Sequence, residues 1–157
     1  MDSLTLLRDN LADLTSYSLL AVGLLILGFL GLELVTPGNL RSKIWNEGNR
    51  SAVILAVAQS LGLIFALAAA ITADVGLELW RGIVNTAVYG VVTIALMMFS
   101  FVLLDLLTPG RLGAVLLGHE DDADAPKDAP GRHHPAVWLN AVIFVAIGLF
   151  VSAALTL

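Results

Sequence analysis

The sequence contains no cysteine and few charged residues. The absence of cysteine excludes disulfide bonds, thiol catalysis and iron–sulfur ligation. Only 8 lysine and arginine residues stand against 13 acidic residues, and the net charge of −5 argues against a nucleic-acid partner. The sequence also lacks a nucleophile spaced with a base, a glycine-rich phosphate loop and a histidine–carboxylate pattern for metal catalysis. We therefore expect no enzymatic activity, no cofactor and no metal site.

Charge is missing altogether from four long apolar runs. They hold 19, 23, 23 and 23 residues and cover residues 14–32, 51–73, 82–104 and 135–157. A helix needs roughly 20 apolar residues to cross a bilayer, and these runs have almost no polar side that could face water. The sequence therefore predicts an all-α, polytopic membrane protein, with one membrane domain over residues 1–157 and four transmembrane helices in the lipid bilayer.

A short motif occurs twice, directly after the first and the third of these runs. An acidic residue is followed, three positions later, by Thr-Pro-Gly. The first copy is Glu33, Thr36, Pro37 and Gly38, and the second is Asp105, Thr108, Pro109 and Gly110. Each copy precedes a polar stretch and another apolar run, which predicts two tandem parallel hairpin repeats, residues 14–73 and 82–157. Residues 119–134, inside the second repeat, are typical of an acidic, flexible loop.

The repeated acids allow two interpretations. Thr36 before Pro37 is a typical helix start, and an acid near the positive end of that helix would be a structural anchor. A carboxylate at the edge of the hydrocarbon is also costly, which favours a functional role. Glu33 and Asp105 would then belong to an ion or proton path. We favour the anchor interpretation.

Small and polar side chains recur at helical spacing inside the apolar runs. The second run carries a small-residue stripe of Ala58, Gly62, Ala66 and Ala70. Such a stripe lets helix backbones approach closely in lipid, so we predict close packing there, within one bundle or between subunits. The last run carries a more polar stripe of Asn140, Phe144, Gly148, Ser152 and Thr156. Two mid-membrane amides, Gln59 and Asn85, predict hydrogen bonds between helices rather than a substrate site.

A leucine stripe precedes the first run. It consists of Leu4, Leu7, Leu11 and Leu14, which share one side of a helix. We predict that the first helix begins early and lies amphipathically on the outer surface. The alternative is a helix that docks a protein partner.

The basic residues predict the orientation in the membrane. The two hairpin loops hold Arg41, Lys43, Arg50, Arg111, Lys127 and Arg132, whereas the opposite face holds only Arg8 and Arg81. The positive-inside rule then places both loops in the cytoplasm and both termini outside.

The sequence resembles a bacterial inner-membrane family, the domain of unknown function 350 (YjfL-like), over residues 17–157. The residues that carry the resemblance are Glu33, Thr36, Pro37, Gly38, Asn49 and residues 50–53, then Asp105, Thr108, Pro109, Gly110, Pro135, Ala136 and Val137. In the second copy, His133 or His134 stands where Asn49 would align. The resemblance implies tandem two-helix repeats and no mechanism; an association with envelope stress implies, by analogy, a scaffold or accessory role.

Two functions remain open. The first is a small oligomeric scaffold or accessory subunit, whose partners are copies of itself or other membrane proteins in envelope homeostasis. The second is ion or proton conduction through Glu33 and Asp105, with Gln59 on the path. Both acids lie at the membrane edge rather than at mid-depth, which favours the scaffold.

Overall fold

The computed structural model describes residues 3–36, 39–46, 48–107 and 135–157, and helices make up most of these ranges. The helices are α1 (Ser3–Val35), α2 (Leu40–Trp45), α3 (Arg50–Ala73), α4 (Leu79–Leu107) and α5 (Pro135–Thr156). The four long helices are each long and apolar enough to cross a membrane. The predicted all-α fold with four spans is therefore confirmed. The tandem parallel repeat stays a prediction, and residues 119–134 lie outside the described residues.

The Asn49 side chain and backbone hydrogen bonds set the helix boundaries at the first hairpin. The Oδ1 atom of Asn49 accepts hydrogen bonds from the backbone N–H groups of Ser51 (2.9 Å) and Ala52 (3.2 Å) and so caps α3. The expected helix start at Thr36 is wrong. The Thr36 N–H still bonds to the Leu32 carbonyl oxygen at 3.0 Å, so Thr36 closes α1, and α2 begins only at Leu40.

Helix α3 lies at the centre of the bundle, since it packs against α1, α4 and, most extensively, α5. One buried cluster joins all five helices at the hairpin end, and its members are Leu32, Leu40, Ala52, Leu55, Met97, Phe101, Val137 and Phe144. A second cluster joins α1, α3 and α4, and its members are Leu24, Leu63, Leu67 and Ile94. The core therefore depends on contacts between helices that are distant in the sequence.

Helices α3 and α5 cross with almost no space between their backbones. A Cβ atom built on Gly148 would collide with the carbonyl oxygen of Gly62, and one built on Gly62 would collide with the carbonyl oxygen of Phe144. Ala58, Ala66 and Ala70, from the small-residue stripe, are buried as well. In lipid, where apolar side chains gain nothing by leaving the tails, this close approach supplies packing energy for the pair.

Helix α1 extends well beyond the length that a membrane span needs. Its 33 residues rise about 50 Å at ~1.5 Å each, whereas the hydrocarbon core is about 30 Å thick. The helix runs without interruption from Ser3, so the leucine stripe lies on its amino-terminal extension. Leu4 and Leu7 are 75% and 64% exposed, and Leu11 and Leu14 are exposed too.

Candidate functional site

Among the described residues, Asp74 is the acidic residue that is buried, with 6% of its surface exposed. It directly follows α3, where its N–H bonds to the Ala70 carbonyl oxygen at 3.2 Å. Gly76 then takes a φ of +95°, a conformation that favours glycine, and lets the chain turn into α4. The carboxylate is therefore held at the junction of α3 and α4, at the end of the bundle opposite the hairpin loops.

The Asp74 carboxylate is oriented by two neutral donors from α4. Its Oδ1 atom accepts a hydrogen bond from Asn85 Nδ2 at 3.1 Å, and its Oδ2 atom accepts one from Thr86 Oγ1 at 3.1 Å. Thr86 is buried. Both bonds join the residue that directly follows α3 to the second turn of α4. No basic side chain of the described ranges forms an ion pair with Asp74.

A cavity of about 540 Å³ adjoins Asp74 and is lined by residues of α1 and of the junction between α3 and α4. Among the described residues, its polar lining consists of Asp13, Tyr17, Ser18 and Asp74, and none of the lysine, arginine or histidine side chains described lines it. The Tyr17 hydroxyl lies against Gly82, where a Cβ atom would collide with it. The arrangement is a negatively charged, partly apolar cavity. Within the described ranges, no group of three histidine, aspartate or glutamate side chains could hold a metal ion.

Sequence reasoning missed Asp74, because the residue only marks the end of a charge-free run. Its partners Asn85 and Thr86 follow 11 and 12 positions later, within the next run. An acid just outside one span and an adjacent amide and hydroxyl just inside the next are the signal that could have indicated the contact. Asp13 and Tyr17 come from a helix that no short spacing connects to Asp74.

Gln59 forms a hydrogen bond between helices in the middle of the membrane span. Its side chain is 2% exposed, and its Nε2 atom donates to the Gly28 carbonyl oxygen of α1 at 2.7 Å. Gly28 leaves room for this contact, since a Cβ atom there would lie 3.2 Å from Nε2. The amide is therefore occupied in joining α3 to α1.

In the part of the chain that the structure describes, the repeated acids Glu33 and Asp105 do not meet in a cavity. Glu33 and Asp105 are both half-buried, near the ends of α1 and α4, and neither lines any of the four cavities described. Thr36 is buried. The remaining motif residues, Pro37, Gly38, Thr108, Pro109 and Gly110, lie outside the described residues.

Buried polar atoms without a partner lie in α5 and at the end of α1. Both amide atoms of Asn140 and the Oγ1 atom of Thr36 are buried with no hydrogen-bond partner in the part of the chain that the structure describes. A buried polar group without a partner costs roughly 1–3 kcal/mol. Asn140 belongs to the polar stripe of α5, whose Phe144 and Gly148 pack against α3. A further polar group reaching Asn140 would therefore stabilise the bundle.

Comparisons with known proteins agree with this architecture. Residues 5–155 match the model of the family described as Domain of Unknown Function (DUF350). UPF0719 transmembrane proteins of Mycobacterium bovis and Mycobacterium tuberculosis are each 33% identical over 154 residues, which cover 98% of this chain and 93% of theirs. A UPF0719 transmembrane protein of Mycolicibacterium paratuberculosis is 29% identical over 140 residues, 89% of this chain and 84% of its own. No solved structure matches.

Proposed function

We propose that this chain, which belongs to the DUF350 family of membrane proteins, acts by assembly, as a scaffold or accessory subunit. Its partners in this role are further copies of itself or other membrane proteins. The assembly would contribute to envelope homeostasis. The observation that carries the proposal is the amino-terminal extension of α1 with its exposed leucine stripe. The bundle itself supplies the anchor that holds this extension at the membrane surface.

The leucine stripe is free to contact a protein partner. Helix α1 is about 13 residues longer than the ~20 that a span needs. Arg8, Asp9 and Asp13 are exposed along this extension. A helix with one apolar side and charges elsewhere buries its apolar side against another helix or against the interface. Leu7 and Leu11 are 64% and 58% exposed, so nothing within the described bundle covers them.

The alternative, ion or proton conduction, has less support. Gln59, the amide expected on such a path, is bonded to Gly28, and Glu33 and Asp105 line none of the four cavities described. A conduction path requires polar groups that remain available to an ion at mid-depth. Gln59 is instead occupied in a contact between α3 and α1, as expected of a structural bundle.

We further propose that the protein lies in the bacterial inner membrane, with both hairpin loops in the cytoplasm and both termini outside. The basic residues support this orientation. Arg41 and Lys43 lie in α2 and Arg50 begins α3, while the opposite end of the bundle holds Arg8 and Arg81, each beside an acid. The leucine stripe would then face a partner outside the cytoplasm.

Chemical cross-linking in membranes that contain the full chain tests the assembly. We expect wild-type protein to form dimers or larger species, and the double variant Leu7→Ser/Leu11→Ser to lose them while its melting temperature is unchanged. The matched control is Asp9→Ser, on the opposite side of the same helix, which should assemble like the wild type. A wild type that stays monomeric and captures no other membrane protein, or a double variant that assembles normally, would contradict the proposal.

A further inference from the structure

We propose that the cavity between α1 and the junction of α3 and α4 binds an organic ammonium group, with Asp74 and Asp13 as its counter-charges. The cavity measures about 540 Å³, within the ~300–1,000 Å³ that is usual for small-molecule sites. It is a binding site separate from the leucine stripe, and it stands whether or not the protein works as a scaffold.

Within residues 3–36, 39–46, 48–107 and 135–157, the buried carboxylate of Asp74 has no positive partner. Asn85 and Thr86 give each oxygen one hydrogen bond, but both donors are neutral. A carboxylate offers about four acceptor positions, so further positions remain for a ligand. A charge that is 94% removed from solvent costs free energy unless an opposite charge compensates it. A cation in the adjoining cavity would supply that charge, and the two donors from α4 hold the carboxylate ready for it.

The rest of the lining fits an ammonium group that carries a carbon chain. Asp13, exposed on α1, adds a second negative charge at the solvent side of the cavity. The Tyr17 ring offers a cation–π surface. The hydroxyls of Tyr17 and Ser18 offer hydrogen-bond acceptors. Apolar side chains such as Ile71 complete the wall and would cover the carbon chain.

The charge pattern selects against other ligand classes. Anions would meet two carboxylates and, in the part of the lining that the structure describes, no basic side chain. A tightly bound divalent metal usually needs several protein oxygens or nitrogens, and the described residues offer no group of three suitable side chains. Arg81, on the same end of the bundle, lies 3.9 Å from Glu78 at the exposed surface and does not line the cavity. An organic cation is therefore the class that the lining favours.

The test is a saturation-transfer NMR titration of the full chain in nanodiscs of zwitterionic lipid. The probe is butylammonium chloride, and the controls are butan-1-ol, which has the same carbon chain without the charge, and potassium chloride. We expect saturable binding of the amine that neither control reproduces or competes away. An absence of saturable binding, or equal binding of butan-1-ol, would overturn the proposal.

Three variants locate the binding. Asp74→Asn should weaken binding of the amine about tenfold, which corresponds to about 1.4 kcal/mol of binding free energy. Asp13→Asn, at an exposed position that is free to change without unfolding the bundle, should weaken it about fivefold. Asp9→Asn, exposed on the same helix but paired with Arg8 and outside the lining, is the matched control and should bind like the wild type. If Asp74→Asn does not fold, Asp13→Asn decides. Unchanged binding in Asp13→Asn, or an equal loss in Asp9→Asn, would refute the site.

Discussion

The crossing of α3 and α5 predicts that one added methyl group destabilises the whole bundle. In Gly148→Ala, the new Cβ atom would lie 2.5 Å from the Gly62 Cα atom and closer still to its carbonyl oxygen. Carbon atoms in contact prefer about 3.5–4.0 Å, so the helices must separate by about 1 Å or more. The colliding atoms belong to the backbone of a helix, so no flexible side chain can move aside.

The magnitude follows from how overpacked cores respond. Inserted methyl groups typically cost about 1–3 kcal/mol, and we expect Gly148→Ala to cost about 3 kcal/mol, since the separation also loosens Phe144 within the buried cluster at the hairpin end. The matched control is Gly23→Ala in α1, where nothing lies within 4 Å of the new Cβ atom. This control should leave stability nearly unchanged or slightly higher, since alanine is the better helix former.

Unfolding of the purified protein in mixed micelles with rising dodecyl sulfate, followed by tryptophan fluorescence, measures the difference. The free energy of unfolding should fall for Gly148→Ala and hold for Gly23→Ala. Gly62→Leu, at the other side of the same crossing, should lower the free energy of unfolding at least as much. Equal stability of Gly148→Ala and Gly23→Ala would refute the close crossing.

Three further predictions concern the polar residues and the orientation. Gln59→Leu should cost only about 0.6 kcal/mol of unfolding free energy in the same assay, because the Gly28 carbonyl belongs to an intact helix; a loss of several kcal/mol would contradict the role as a single contact between helices. The double variant Glu33→Gln/Asp105→Asn should remain folded and leave proton flux into liposomes equal to that of the wild type. Strong wild-type flux that disappears in this folded variant would support conduction instead. A cysteine at Ser42 should resist an impermeant thiol reagent in intact cells while one at Ser3 reacts, and the reverse pattern would invert the orientation.

The hydropathy of the chain by itself determined the number of spans and nearly all their positions. The charge-free run 51–73 becomes α3, which starts one residue earlier, and the run 135–157 becomes α5. Charges are costly in hydrocarbon, so a stretch of about 20 residues without charge directly indicates a membrane span. The same reasoning could not place the start of α2, because Thr36 still closes the hydrogen-bonded turn of α1.

Only the tertiary structure decided which sides of the spans meet. In lipid, a side chain that faces the tails and one that faces another helix are equally apolar, so the sequence carries no amphipathic signal for the pairing. The stripe of Ala58 to Ala70 indicated a packing side, but not that Gly62 meets Gly148 of α5. Asp74 acquires its cavity in the same way, since the packing of α1 brings to it Asp13 and Tyr17, which no short sequence spacing connects to Asp74.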